Sequence, residues 1–216
     1  MKHILNDQER SRLDRRVAEA EKRTGAQIVL AVVERSDSYA ELPWKAFALA
    51  VSVASLLVFF QAILWPDWFT HTALLHALAT TLAAGAVCAL MAVYLPWFAR
   101  LFLNDHRKEV EVRQYAESLF FSRQLFATRK RSGILLLVSL FERQVILLPD
   151  TGISTRLSRE AIQQIISLMT PSLASGSVAR ALEEGLEKLK EILAATAASE
   201  ALENELPDEI IEEKGS

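Results

Sequence analysis

Two long stretches without charged side chains interrupt this sequence of 216 residues. The first runs from Ala46 to Trp65 (AFALAVSVASLLVFFQAILW), and the second runs from Thr72 to Phe98. At a rise of roughly 1.5 Å per residue, a helix of about twenty residues spans a hydrocarbon layer of about 30 Å. Because only the segment PDWFTH separates the two stretches, they predict an antiparallel pair of transmembrane helices, with the hairpin occupying residues 44–99.

The residues at the ends of both stretches support this interpretation. The four tryptophans lie at the predicted helix ends, where aromatic rings favour the depth of the lipid headgroups: Trp44, Trp65, Trp68 and Trp97. Small residues recur at four-residue spacing and predict a close approach of the helices: Ala46, Ala50 and Ala54, with Ala79 and Ala83. The alternative is a hairpin buried in a soluble core, but soluble helices usually keep a polar face.

Basic residues flank the hairpin but are absent from its connecting loop. Arg35 and Lys45 precede the first helix, while Arg100, Arg107 and Lys108 follow the second. The positive-inside rule therefore predicts that both termini are cytoplasmic. Two crossings return the chain to the side where it began, so the flanking segments can fold together.

The N-terminal flank predicts one helix and one strand. Asn6 with Glu9 has the pattern of a capping box, and Thr24-Gly25 ends the helical pattern. Ala26–Glu34 (AQIVLAVVE) is a short β-branched run typical of a buried strand. One helix and one strand do not make a core, so the partner elements must follow the hairpin.

The stretch GILLLVSLFERQVILLPDTGI (residues 133–153) is the third apolar segment. Its runs, Ile134–Phe141 and Val145–Leu148, are too short for membrane helices. Placing Arg143 in mid-membrane would cost roughly 2.5–3.5 kcal/mol. The stretch therefore predicts a hairpin of two buried strands.

Helices complete the C-terminal flank. The pattern predicts one helix over residues 109–121, one from about Ser158 that ends at Pro171, and one from near Ser177. Residues 197–216 form an acidic tail that we expect to be mostly solvated. Residues 1–40 and 100–196 are thus two parts of one layered helix-sheet-helix α/β domain, which the transmembrane hairpin interrupts.

The order of these segments resembles the TPM-domain family, also called the Psb32 or thylakoid-lumen-protein type. The matching pieces are TGAQIVLAVV, VRQYAESLF, SGILLLVSLFERQVILLPDTGI, and the spacing to Pro171 and Ser175-Gly176. The inserted hairpin and the segment NELPD resemble the bacterial membrane-protein branch of this family, which implies the bacterial inner (cytoplasmic) membrane. Common secreted members carry Gly-Tyr-Gly where this chain has Pro149-Asp150-Thr151-Gly152, so the resemblance implies no residue role at that position.

Acidic residues at strand ends are the candidates for chemistry. If the first two strands are parallel, as a helical crossover implies, Glu34, Asp37 and Glu142 converge at their carboxyl ends, where ligands usually bind in α/β sheets. Their oxygens suit Ca²⁺ or Mg²⁺. The alternative is solvated charge at strand ends.

Asp150 is a further catalytic candidate beside Asp37 and Glu142. Its carboxylate could act as an acid or base, or it could accept backbone N–H bonds in an Asx-turn. In a hairpin it lies at the sheet end opposite Glu142, so the two cannot form one site.

Basic residues are candidates for contact with lipid headgroups. They are Lys45, Arg100, Arg107 and Lys108, with the run Arg129-Lys130-Arg131. A solvated loop is the alternative for that run.

Recognisable catalytic motifs are absent from the sequence. It has no nucleophile elbow, phosphate-binding glycine loop or metal-spaced histidine set, and Cys88 is its single cysteine. The net charge of −3 gives no reason to expect nucleic-acid binding, and no haem or nucleotide partner is expected. Two hypotheses remain: a module that binds another membrane protein to assemble or maintain a complex, or the acid phosphatase that the resemblance implies.

Overall fold

The computed structural model describes residues 4–65, 71–195 and 210–215. The chain divides into two compact units, of which one comprises residues 1–37 and 108–216 and the other residues 38–107. The helices are α1 Asp7–Thr24, α2 Glu41–Leu64, α3 His71–Tyr94, α4 Pro96–Ala99, α5 Asp105–Ser122, α6 Thr151–Ser154, α7 Arg159–Ala174 and α8 Val178–Ala195. The strands are β1 Gln27–Arg35, β2 Gly133–Ser139, β3 Gln144–Pro149 and β4 Ile211–Gly215.

The predicted signals at both ends of α1 are confirmed. The Asn6 side chain accepts hydrogen bonds from the N–H groups of Gln8 and Glu9, and the Glu9 side chain returns one to the Asn6 N–H. Gly25 ends the helix with φ of 68°, a left-handed conformation that is easiest for glycine. The chain therefore turns directly from α1 into β1.

The sheet has the strand order β3-β2-β1-β4. β1 pairs with β2 in parallel from Gln27 with Gly133 to Val33 with Ser139, as the crossover predicts. β2 and β3 form the predicted antiparallel hairpin. β2 is buried along its whole length, so the apolar stretch that begins at Gly133 is core and not a third membrane segment.

Helices cover both faces of the sheet, which confirms the layered α/β prediction. On one face, alternate residues of β1 pack with α1, α7 and α8; these are Ile28, Leu30 and Val32. On the other face, Val29, Ala31 and Val33 pack with α5. Burial on both faces explains why these strands are continuously apolar instead of alternating.

Two predictions for the C-terminal part are wrong. The helix predicted to end at Pro171 continues to Ala174 with Pro171 inside it, because Ile165 and Met169 hold the apolar side of α7 in the core that the sheet shares with α8. The acidic tail is not all solvated: Ile211–Gly215 pairs in parallel with β1, and Ile210 and Ile211 are buried. Residues 197–209 of that tail lie outside the described residues.

In the unit of residues 38–107, α2 and α3 are both long and apolar enough to cross a membrane. Within their apolar windows, 0% of the residues of α2 and 11% of those of α3 are buried. The second apolar helix ends earlier than predicted, at Tyr94 and not Phe98. Leu95 precedes Pro96 and is extended, with φ of −114° and ψ of 98°, because a proline disfavours helical conformation in the residue before it.

α2 and α3 approach closely, but not through every small residue that was predicted. Ala46 of α2 is buried, whereas Ala79 and Ala83 of α3 are exposed. A Cβ at Gly85 would lie 2.6 Å from Val51 Cγ2, so the backbone of α3 approaches α2 at the glycine. The small-residue spacing predicted a contact face but assigned it to the wrong side of α3.

Candidate functional site

Three buried polar side chains meet at the carboxyl ends of β1 and β2. Glu142 Oε1 accepts a hydrogen bond from the Ser36 N–H at 2.9 Å, and Glu142 Oε2 accepts one from the Ser139 hydroxyl. The Ser36 hydroxyl lies 3.1 Å from Ser139 Oγ. We call these three residues the Glu142 cluster. Both oxygens of the buried carboxylate therefore hold the ends of the two strands together.

The turn after β2 continues the pairing with β1. Leu140 donates its N–H to the Val33 carbonyl at 3.0 Å, and Phe141 donates to the Glu34 carbonyl at 2.9 Å. The Arg35 guanidinium lies 4.1 Å from the centre of the Phe141 ring, a cation–π distance. The turn that contains Glu142 is thus fixed by backbone bonds and by side-chain packing.

The three candidate metal ligands differ in exposure. Glu142 is buried, Glu34 is exposed and Asp37 is half-buried. Parallel pairing brings the chain segments that carry them to the same end of the sheet, as expected. Among the described residues, no group of three or more His, Cys, Asp or Glu side chains is placed to hold a metal ion. A Ca²⁺ or Mg²⁺ site on these residues stays a prediction.

Asp150 lies at the opposite end of the hairpin from Glu142, as predicted, because Ser139 pairs with Gln144 and Ile134 with Pro149. Its Oδ1 accepts the Thr151 N–H at 2.7 Å and caps α6. Its Oδ2 lies 3.1 Å from Arg131 Nε. The side chain is 4% exposed, so this carboxylate is engaged in capping and in an ion pair.

The basic residues form two separate groups. Arg107, Lys108 and Arg113 lie on the first half of α5, whereas Arg129-Lys130-Arg131 is an exposed run beyond the end of that helix. Contact of either group with lipid headgroups stays a prediction.

The carboxylates of β4 make a set of contacts that the sequence analysis missed. Glu212 accepts hydrogen bonds from the Ile4 N–H at 3.0 Å and from Arg10 Nη2 at 3.3 Å. Glu213, on the opposite face, accepts one from the Tyr115 hydroxyl and lies 3.4 Å from Arg123 Nη2. The sequence signal for this strand was the apolar pair Ile210-Ile211 before the two glutamates. The surrounding acidic residues obscured it.

Burial raises the pKa of Tyr115 well above its ordinary value, and the hydrogen bond to Glu213 raises it further. The phenol therefore stays protonated and keeps donating to the carboxylate over the whole physiological range. This bond fixes β4 to α5.

Comparisons with known proteins agree with this fold. The family model described as the TPM domain, named TPM phosphatase, matches residues 98–192. The structure is similar to the NMR structure of the BA42 protein from the psychrophilic bacterium Bizionia argentinensis, with a TM-score of 0.59. The two share 14% identity over 98% of this chain and 97% of that chain, so this likeness shows the fold alone. No curated protein matches the chain. The family model and the fold together confirm that the chain resembles the TPM-domain family.

Proposed function

We propose that the protein is a two-pass membrane protein, whose TPM-like domain binds another membrane protein during assembly or maintenance of a complex. The single observation that carries the membrane part is the exposed apolar surface of α2 and α3. Core helices of soluble proteins are mostly buried, whereas these two expose large side chains along their whole length, including Leu56, Phe60, Leu75 and Leu90. Soluble monomers rarely expose apolar patches beyond a few hundred Å², so lipid is the natural covering.

The charges that flank the hairpin indicate its orientation in the membrane. Lys45 and Arg107 both lie within 4 Å of the Glu41 carboxylate, at 3.9 and 3.7 Å, and Arg100 follows α4. The connecting loop has no Lys or Arg. By the positive-inside rule, both termini and the TPM-like domain lie in the cytoplasm, and Lys45, Arg100, Arg107 and Lys108 contact lipid headgroups. For the exposed run Arg129-Lys130-Arg131, contact with lipid headgroups stays a prediction.

The geometry of the carboxylates supports binding over catalysis. Glu142 uses both oxygens to join strand ends, and Asp150 caps a helix and pairs with Arg131. Groups committed to structural bonds lack the freedom to bind substrate. The name of the matched family model makes phosphomonoester hydrolysis the second candidate.

The orientation is tested by cysteine labelling, since Cys88 is the single cysteine. In a Cys88→Ala background, one variant carries Asp67→Cys in the loop and another carries Ser216→Cys at the end of the chain. A membrane-impermeant maleimide added to intact bacterial cells should label only the loop variant, and permeabilised cells should show both labelled. The Cys88→Ala parent is the control. Labelling of Ser216→Cys in intact cells would contradict the proposal.

Catalysis is tested on the detergent-solubilised protein with a chromogenic phosphate ester, with and without Ca²⁺ or Mg²⁺. The binding module predicts no turnover above that of a heat-denatured control. Metal-dependent turnover that is lost in Asp37→Asn or Asp150→Asn would favour the phosphatase instead.

A further inference from the structure

One edge of β1 is occupied by the chain's own β4, and side chains on both faces of the sheet contact its two glutamates. Arg10 contacts Glu212 on one face, while Tyr115 and Arg123 contact Glu213 on the other. We call the edge of β1 from Ala31 to Arg35, with Arg10, Tyr115 and Arg123, the strand seat. The seat is built for a particular strand, because backbone pairing supplies affinity and alternate side chains supply selectivity.

The four consecutive residues from Ile210 to Glu213 each make a defined contact. Ile210 and Ile211 are 2% and 7% exposed and extend the apolar core. Successive residues of a strand point to opposite faces, so Glu212 and Glu213 reach cations on different sides. Arg10 also donates to the Ile210 carbonyl at 3.3 Å. The strand seat therefore selects a segment in which two apolar residues are followed by two carboxylates.

The last position requires glycine. Gly215 has φ of 79°, and a Cβ there would lie 1.4 Å from the Arg35 carbonyl oxygen. Any other residue would need both a left-handed backbone and a displaced β1. The complete recognised pattern is thus Ile-Ile-Glu-Glu-x-Gly, which is far narrower than a general preference for acidic peptides.

The two ion pairs that hold β4 are modest in strength. Arg10 and Arg123 have side chains that are 36% and 46% exposed, and ion pairs at such sites contribute little each. β4 pairs with β1 over only the segment Ala31–Arg35. In sequence, fifteen residues separate it from the end of α8. A competing segment of matching chemistry can replace the same pairing with β1 and the same contacts to Arg10, Tyr115 and Arg123.

We propose that the strand seat is the peptide-binding site of the module, that β4 fills it in the resting protein, and that a partner protein displaces β4 with an extended segment of the same pattern. This proposal rests on the proposed binding function and identifies its ligand chemistry. The charges agree, since the seat presents two guanidinium groups and a phenol to two carboxylates. Attachment in the same chain gives β4 an effective concentration near the millimolar range, so a free peptide binds weakly until β4 is weakened.

The experiment uses the full chain in detergent and a fluorescent synthetic peptide of residues 207–216 (PDEIIEEKGS). Anisotropy titrations compare the wild-type protein with Gly215→Val, which removes β4 from the seat. We expect the variant to bind the peptide at least roughly tenfold more tightly than the wild type, because the tethered competitor is lost. A second variant, Glu212→Gln with Glu213→Gln, weakens β4 without steric strain and should also bind more tightly.

Controls separate recognition from general attraction. Adding Arg10→Ala and Arg123→Ala to Gly215→Val should weaken peptide binding, because both cationic partners of the peptide carboxylates are then lost. Peptides with Gly→Val, or with both Glu→Gln, should bind more weakly than the native peptide, because the first clashes with the Arg35 carbonyl and the second loses both carboxylates. Equal binding of all three peptides, or no binding to either weakened variant when circular dichroism shows both to be folded, would overturn the proposal. A wild-type dimer that the peptide dissociates would also overturn it, since the occupant would then be a second copy.

The outcome is independent of the membrane test. If the protein binds the peptide but fails the cysteine-labelling test, the strand-seat proposal is supported and the proposed membrane orientation is refuted. The predicted orientation without peptide binding would refute the strand-seat proposal alone.

Discussion

The carboxylate of Glu21 accepts a hydrogen bond from the backbone N–H of Ile28 at 2.6 Å. Gln27 donates toward β2, to the Ser132 carbonyl, so the next N–H points to the other side of β1. On that side β4 pairs only from Ala31 onward. The Glu21 side chain of α1 therefore supplies a hydrogen-bond acceptor at the start of β1, where β4 does not pair with it.

We expect Glu21→Ala to destabilise the domain, since the buried Ile28 N–H would lose this acceptor. An unsatisfied buried donor costs about 1–3 kcal/mol. Glu21→Gln retains an acceptor oxygen of similar reach and is the matched control. Urea unfolding followed by circular dichroism measures both; equal stability of Glu21→Ala and the wild type would show that the bond contributes nothing.

Arg156 should stabilise the C-terminal ends of two helices at once. Its Nη2 donates to the Leu193 carbonyl at 2.7 Å, and both terminal nitrogens lie 3.3 Å from the Thr24 carbonyl. A single ammonium group does not span both acceptors as a planar guanidinium does. We expect Arg156→Lys to recover only part of the roughly 1–3 kcal/mol lost in Arg156→Ala. Full recovery by lysine in chemical denaturation would contradict the two-helix cap.

Gly85 should be the most sensitive position of α3. Its absent Cβ would lie 2.6 Å from Val51 Cγ2 and 2.8 Å from the Phe47 ring, so Gly85→Leu separates α3 from α2. Overpacking of this kind costs about 1–3 kcal/mol. Ala86→Leu is the control, because Ala86 is exposed on the same helix. Thermal unfolding in detergent should show a lower Tm for Gly85→Leu alone, and equal Tm values for the two variants would refute the close approach.

The raised pKa of Tyr115 predicts that the folded protein loses stability at high pH. Its pKa in the folded protein is raised by burial and by Glu213, whereas in the unfolded chain it is about 10. Below about pH 10 both states are protonated and the contribution is complete. Above that pH the unfolded state releases a proton that the folded state keeps, so stability falls as the pH rises toward the folded pKa.

The measurement is Tm from pH 8 to pH 11 for the wild type and Tyr115→Phe. The variant should be less stable at pH 8, because it lacks the bond to Glu213, and should lose less stability between pH 10 and pH 11. Parallel curves for the two proteins would show that Tyr115 is not the titrating group.

Local signals in the sequence were sufficient for most elements of the domain. The capping box of α1, the β-branched run of β1 and the paired short runs of β2 and β3 are each encoded by a few neighbouring residues. The end of α7 was misplaced because Pro171 lowers helical preference locally, whereas burial of Ile165 and Met169 in the core stabilises the helix beyond it. The contact face of α3 was misplaced because small residues lie on several sides of that helix.

The sequence by itself determined that two apolar helices interrupt one α/β domain, because uncharged length and hydrophobic periodicity are properties of consecutive residues. Only the tertiary structure decided the use of Glu142, Asp150, Glu212 and Glu213. A carboxylate carries the same charge in every acidic segment, and its role depends on which donors the fold brings to it. For Glu213 those donors are Tyr115 and Arg123, about ninety or more residues away in the chain.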